Sequence, residues 1–160
     1  MVVSGLALNF SPDLDGALSE MKRISKPGGL IAAYVWDYSD RMDLLRYFWD
    51  AATLLDPKSI ELDEGIRFPI CNTAKLKNAF QQTGLKEVEV TTLDIKTLFK
   101  DFDDYWNPFL GGQEPAPTYL TSISKNLQEK LKKEINNNLP FEPDGSIKLL
   151  ARAISVKGKS

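Results

Sequence analysis

The sequence predicts an α/β fold that opens with two parallel strands, and three observations carry that prediction. Near-continuous apolar runs stand at residues 2–8 and 30–36, a helical stripe lies between them, and Pro27-Gly28-Gly29 separates the stripe from the second run. Short runs of this kind suit strands buried on both faces of a parallel sheet. Strand, helix, tight turn and strand form a βαβ unit, which sets the strands parallel and the crossover right-handed.

The first strand is expected over Val2-Val3-Ser4-Gly5-Leu6-Ala7-Leu8. Ser11-Pro12-Asp13 then offers a capping hydroxyl, a proline near the first helical position and an acid in the first turn. Leu14, Ala17, Leu18, Met21 and Ile24 follow at helical spacing, and Lys22, Arg23 and Lys26 crowd the end where the helix dipole favours cations. The second strand is Leu30-Ile31-Ala32-Ala33-Tyr34-Val35-Trp36. Residues 39–55 read as a helix with Leu44, Phe48, Ala51 and Leu55 on one face, and 56–69 read as a loop. Thr73 is placed to cap a shorter helix carrying Leu76, Ala79 and Phe80, which Gly84 ends in a left-handed conformation.

Residues 85–93 alternate in part, Val88 and Val90 against Glu87 and Glu89, which suits a strand nearer an edge. The stretch 102–118 is rich in aromatics, glycine and proline and reads as a structured loop or broken helix. Leu120, Ile123, Leu127, Leu131 and Ile135 give an amphipathic helix over 119–136. Pro143-Asp144-Gly145 is a turn, and residues 147–156 form a last strand that returns antiparallel.

Composition limits the chemistry. A chain of 160 residues is long enough for one domain with its own core. A net charge of −2 leaves no concentrated basic face, so no nucleic-acid partner is expected. The densest basic run, residues 130–133, is answered by Glu129 and Glu134 and reads as a solvated helix face. The single cysteine, Cys71, rules out an intramolecular disulfide and fits a reducing cytoplasm; with no base partner evident it reads as a small buried hydrophobe. No signal peptide or membrane span is indicated. The chain has no histidine, which removes Ser-His-Asp and Cys-His arrangements and histidine-ligated metals. No metal site is expected.

The residues that carry a family resemblance are Ser4-Gly5-Leu6-Ala7-Leu8-Asn9-Phe10, Asp13, Ala17-Leu18, Glu20-Met21, and Lys26-Pro27-Gly28-Gly29 before an apolar strand. In this order they resemble the second half of a Rossmann-like, class I S-adenosylmethionine-dependent methyltransferase. Gly84-Leu85 before the next strand fits the same pattern, and Tyr34-Val35-Trp36-Asp37-Tyr38 and Asp101-Phe102-Asp103-Asp104-Tyr105-Trp106 look like one subgroup of that family. The resemblance implies sheet strands four to seven with the last antiparallel, flanked by helices. It implies one partial domain over 1–160, with an insertion or lid over 97–145.

The same resemblance implies S-adenosyl-L-methionine as cofactor and a small-molecule methyl acceptor. Ser4, Gly5 and Leu6 would line the methionine end of the cofactor, and Asn9 would point towards it. The plainer alternative is that Gly5 permits close packing and Asn9 caps the strand. Trp36, Asp37 and Tyr38 leave the C-terminal end of a strand, where ligands of open α/β sheets sit, so they are candidate substrate contacts. The alternative makes Trp36 core and Asp37 a helix cap. Tyr105 and Trp106 are candidate substrate-lid residues, or else members of a satellite cluster holding the insertion. Asp101, Asp103 and Asp104 suit helix capping. No catalytic residue is assigned.

No G-x-G-x-G occurs in these 160 residues. In the family that loop follows the first strand, and an acid for the ribose ends the second. The expectation is therefore a truncated methyltransferase, inactive alone. The rival readings are a non-catalytic binding or scaffolding module derived from the fold, and an unrelated doubly wound domain. The open edge of the first strand, residues 2–8, is expected to be covered by self-association or by a partner.

Overall fold

The computed structural model describes residues 1–160. Its sheet has four strands, in the order β1 (Val2–Gly5), β2 (Leu30–Trp36), β4 (Ile147–Lys159), β3 (Lys86–Phe99). β1 and β2 run parallel, from Val2 opposite Ile31 to Gly5 opposite Tyr34, and α1 (Leu14–Arg23) makes the crossover. β4 runs antiparallel to β2, from Leu30 opposite Lys159 to Trp36 opposite Ala153. The last strand therefore returns antiparallel as expected, and it enters between β2 and β3 rather than after them. β3 is an edge strand, as its partial alternation implied, and it continues to Phe99.

The first strand departs from expectation in two ways. It stops at Gly5 instead of Leu8, because Leu6 takes a left-handed φ of 52° after its N–H donates to the Tyr34 carbonyl at 2.8 Å. Leu8–Phe10 then forms a short 3-10 turn. It is also not buried on both faces. Ile31, Ala33 and Val35 on one face of β2 are fully buried, whereas Tyr34 on the other face and its neighbour Val3 are 41% and 53% exposed. The cause lies in the packing: Leu18 of α1 and Leu76, Ala79 and Phe80 of α4 (Thr73–Gln82) join one cluster with Ile31, Ala33, Val35, Ile154 and Val156. Both helices thus feed the same face.

Helix ends differ from the sequence reading in their capping residue. Asp13, not Ser11, caps α1, its Oδ1 accepting from the Gly16 N–H at 2.9 Å, while the Ser11 hydroxyl donates to the Asp13 carbonyl. Asn72, not Thr73, caps α4, accepting from the N–H groups of Ala74 and Lys75. Either acceptor satisfies an orphan amide of the first turn, and the residue with extended backbone just before the helix wins. Gly84 ends α4 at a φ of 77°, as expected. Lys22 Nζ donates to the Thr83 carbonyl at 2.8 Å, which joins the C-terminal ends of α1 and α4.

Two compact units divide the chain. The first holds residues 1–38, 68–94 and 152–160; the second holds 39–67 and 95–151. In the second, α2 (Asp43–Leu55) is followed not by a loop but by a 3-10 turn, Pro57–Leu62, and α3 (Glu64–Arg67). The aromatic stretch folds as α5 (Phe102–Trp106), a 3-10 turn Asn107–Leu110, and α6 (Pro115–Ser122). The helix read over 119–136 is two: Ile123 is extended, and the Ser124 hydroxyl caps α7 (Lys125–Asn138) by accepting from the Leu127 N–H. The expected insertion, 97–145, lies within this unit.

Phe48, Trp49, Tyr105, Phe109, Leu131 and Ile135 are at most 2% exposed and form its core. Each such side chain contributes roughly 1.5–3 kcal/mol relative to an exposed one. Two buried acids sit at the start of α3. Asp63 accepts from Arg46 Nη2 at 2.5 Å, and Glu64 accepts from the Trp49 indole N–H at 2.5 Å. Burial pushes the Glu64 carboxyl above its ordinary value, with the Trp49 hydrogen bond opposing it and the Asp63 charge adding to it. No helix of the chain is long and apolar enough to cross a membrane.

Candidate functional site

The C-terminal ends of β1 and β2 lie on the same side of the sheet because the strands are parallel. Ser4 is the third residue of β1, half-buried beside Ala33, and Gly5 is the last, exposed beside Tyr34. A Cβ on Gly5 would lie 2.4 Å from the Tyr34 hydroxyl oxygen, so the Tyr34 ring lies across the glycine. That close approach requires glycine unless the ring swings away. Along this edge runs a groove of about 430 Å³, lined by Val3, Ser4, Gly5, Ala7, Leu8 and Met21 among others. Its wall carries no charged side chain.

Past Gly5 the chain enters a strained bend. A left-handed backbone at a leucine costs on the order of 1–3 kcal/mol and persists only where surrounding packing holds it. Leu6 makes this bend, and the next turn buries Asn9 to 9% exposure. The Asn9 Nδ2 group has no hydrogen-bond partner. An unpaired buried donor loses about 1–3 kcal/mol of solvation, so native structures hold few of them. Neither Leu6 nor Asn9 lines the groove with Ser4 and Gly5, but both stand in the bend that leaves it.

β2 delivers Trp36, Asp37 and Tyr38 to the same end. Trp36 is half-buried at the last paired position, opposite Ala153. Asp37 is buried, and its N–H donates to the Arg152 carbonyl at 2.9 Å. It does not cap the next helix, whose N-terminal cap position is Met42. Tyr38 is half-buried with its ring 5.8 Å from that of Phe68, and Phe68 in turn meets Phe10 edge-to-face at 5.1 Å. The sequence reading missed Phe68 altogether, since it sits in a segment with no periodicity, and passed over Phe10, which is 59% exposed.

Cys71 is buried beside this cluster, and burial pushes its thiol up to about 12, with the Asp37 charge adding to the shift. It is inert as a nucleophile at neutral pH. No group of three or more His, Cys, Asp or Glu side chains is placed to hold a metal ion.

Tyr105 and Trp106 belong to the second unit. Tyr105 is fully buried and its hydroxyl donates to the Leu44 carbonyl at 2.8 Å. Trp106 is 5% exposed and stacks on Phe102 at 6.0 Å, with Lys132 Nζ 5.9 Å from its ring. Trp106 also edges a cavity of about 540 Å³ with Leu110, Leu120, Gln128 and Lys132. Asp101 accepts from the Asp104 N–H and so caps α5, as its spacing implied.

Comparison with known proteins follows the same geometry. A structure of a proposed methyltransferase from Bacillus halodurans C-125 aligns over 99% of this chain and 62% of its own length, at 14% identity and a TM-score of 0.50. The YcgJ protein of Bacillus subtilis aligns over the same shares at 13% identity and a TM-score of 0.50. The chain has a class I methyltransferase fold. No protein-family model matches it. A curated relative, methyltransferase ucsB of Acremonium sp, is 24% identical over 142 residues, which is 86% of this chain and 46% of the relative. The chain thus spans about half the length of the methyltransferase it matches.

Proposed function

We propose that these 160 residues supply the second half of an S-adenosylmethionine-dependent methyl-transfer site acting on a small-molecule acceptor. The observation that carries this reading is the bend at residues 4–9. A partnerless buried amide and a strained leucine stand together just past Gly5, where β1 ends. Such a bend fits the methionine end of the cofactor, with Asn9 Nδ2 free to donate to it and Ser4, Gly5 and Leu6 beside it. When bound there, the cofactor would supply an electrophilic methyl group for transfer to the acceptor, and Ser4, Gly5, Leu6 and Asn9 would hold its methionine end.

The protein's part is orientation and exclusion of water, which needs neither histidine nor metal. Trp36, Asp37 and Tyr38, which leave the C-terminal end of β2, would bound the acceptor side. Tyr105 and Trp106 are both buried in the aromatic core of the second unit. Of the cofactor contacts, we take these 160 residues to supply only those at the methionine end. With one inert cysteine and no membrane-crossing helix, a reducing cytoplasm suits it.

The β1 edge completes the reading. Residues 1–12 carry no charged side chain and no charged gatekeeper, whereas natural edge strands are usually blunted by lysine, proline or a covering element. We take this edge, with no charge to blunt it, to be open to pairing by self-association or with a partner.

Titration of the isotope-labelled chain with S-adenosylhomocysteine, read by amide NMR shifts, tests the assignment. Weak, saturable shifts at Ser4, Gly5, Leu6 and Asn9 are expected. Shifts confined to other residues, or none up to the solubility of the ligand, would leave a non-catalytic binding module as the better description.

A further inference from the structure

The bend after β1 turns on a residue ill suited to it. A left-handed φ comes easily to glycine, yet Gly5 closes β1 and the φ of 52° falls on Leu6, one position later. Glycine also has the most backbone freedom to lose on folding, so a Gly-Leu pair left to itself would be the loosest point of the strand end. Both residues need an external hold.

Tyr34 supplies it to each. It stands opposite Gly5 in the β1–β2 register, and residues so paired share a face of the sheet. Gly5 has no side chain to fill that face, and the Tyr34 ring fills it instead. A Cβ built on Gly5 would lie 2.6 Å from Cζ and 2.8 Å from Cε1 of the ring, too close for any side chain at position 5 while the ring stays. The main-chain carbonyl of the same tyrosine accepts from the Leu6 N–H at 2.8 Å, just beyond the last paired position of β1. One residue therefore covers the glycine before the bend and anchors the leucine within it.

A ring laid over a cross-strand glycine stabilises a sheet by restoring the packing that the glycine lacks. Here the pair closes the strand instead of standing in its middle. Tyr34 keeps 41% of its surface exposed, whereas Ile31, Ala33 and Val35 of the same strand are fully buried, so its contacts serve the strand end more than the core.

We propose that Tyr34 is the positioning residue of the candidate site: with its ring on Gly5 and its carbonyl on Leu6, it fixes the bend that presents Ser4, Leu6 and Asn9. The lack of a side chain at Gly5 is then explained by Tyr34 and not by a ligand. The hold on the bend is independent of any ligand, while its effect on nucleoside binding rests on the methyl-transfer reading.

Amide hydrogen exchange on the full chain and its variants tests the hold, with the β2 amides as internal reference. Tyr34→Ala removes the ring and keeps the carbonyl, so the Leu6 amide should exchange roughly twofold to fivefold faster relative to β2, the range that a lost cross-strand aromatic pair implies. Tyr34→Phe keeps the ring and should match the parent. Gly5→Ala, which pushes the ring aside without removing it, should act as Tyr34→Ala does. A tyrosine with a purely structural role would speed exchange across β1 and β2 alike, or not at all. Either result overturns the proposal, as does a phenylalanine variant that behaves like the alanine one. Titration with S-adenosylhomocysteine, read at the Asn9 side-chain amide, gives a second readout. Tyr34→Ala should weaken binding by a similar factor and Tyr34→Phe should restore it, whereas full affinity in the alanine variant overturns the positioning role. A parent without any nucleoside response removes the methyl-transfer reading, and the Leu6 exchange rates then decide for or against Tyr34 by themselves.

Discussion

Replacing Asn9 by alanine should stabilise the chain and weaken its response to nucleoside, two effects that a structural residue would not combine. Asn9 is buried and its Nδ2 group donates to nothing. Leaving such a donor without a partner costs about 1–3 kcal/mol, a penalty that alanine removes. Against that stand a few lost van der Waals contacts and a small void. The net expectation is a gain of about 0.5–2 kcal/mol, or roughly 2–6 °C in midpoint for a chain of this size. Thermal unfolding by circular dichroism measures the first effect. Titration with S-adenosylhomocysteine measures the second, and shifts at Ser4 and Gly5 should shrink or vanish. A site residue kept at the expense of stability behaves this way. A variant that melts lower than the parent while its nucleoside response stays intact would refute the reasoning. It would return Asn9 to the role of a strand-end cap.

Two further variants probe other parts of the chain. Because folded Glu64 keeps its proton to higher pH than an unfolded carboxyl, its contribution to stability is fully present below about pH 4 and is lost as pH rises through the folded value. Glu64→Gln keeps an acceptor for the Trp49 indole and drops the buried charge, so it should equal or exceed the parent in melting temperature at pH 7.5, with the gap closing towards pH 4; a constant deficit at every pH would count against burial as the cause. Glu64→Leu, which orphans the indole N–H, should lose about 1–3 kcal/mol. At the β1 edge, Val3→Lys places a charge on an exposed position of an uncharged strand. Sedimentation velocity should show self-association of the parent and a monomeric variant, and a parent that is monomeric at every concentration would dispose of the self-association reading.

How much of this was legible beforehand depends on whether the signal was local. The βαβ unit was, because Pro27-Gly28-Gly29 and the two apolar runs encode it within a short stretch, and the observed β2 matches its run from end to end. Helix caps were only half legible: a serine, proline and aspartate in a row, or an asparagine beside a threonine, offer competing acceptors, and backbone geometry decides between them. The early end of β1 at Gly5 was hidden because nothing in Leu6 announces a left-handed φ, a conformation leucine adopts only under constraint. One-sided burial was hidden for a different reason. Val3 and Tyr34 read as core by composition, and only the tertiary structure shows that α1 and α4 cover the opposite face.

The candidate site divides along the same line. Ser4, Gly5, Leu6 and Asn9 were legible as candidates through the family resemblance of residues 4–10, and the bend then supplied what no sequence states: that the Asn9 amide lacks a partner. Phe68 could not be found, since it lies 58 residues from Phe10 and 30 from Tyr38 by their numbers, and each segment is unremarkable alone. Its meaning is entirely in the 5.1 Å and 5.8 Å ring separations. Pattern along the chain therefore identifies the strand ends, while contacts between segments distant in sequence emerge only in the fold.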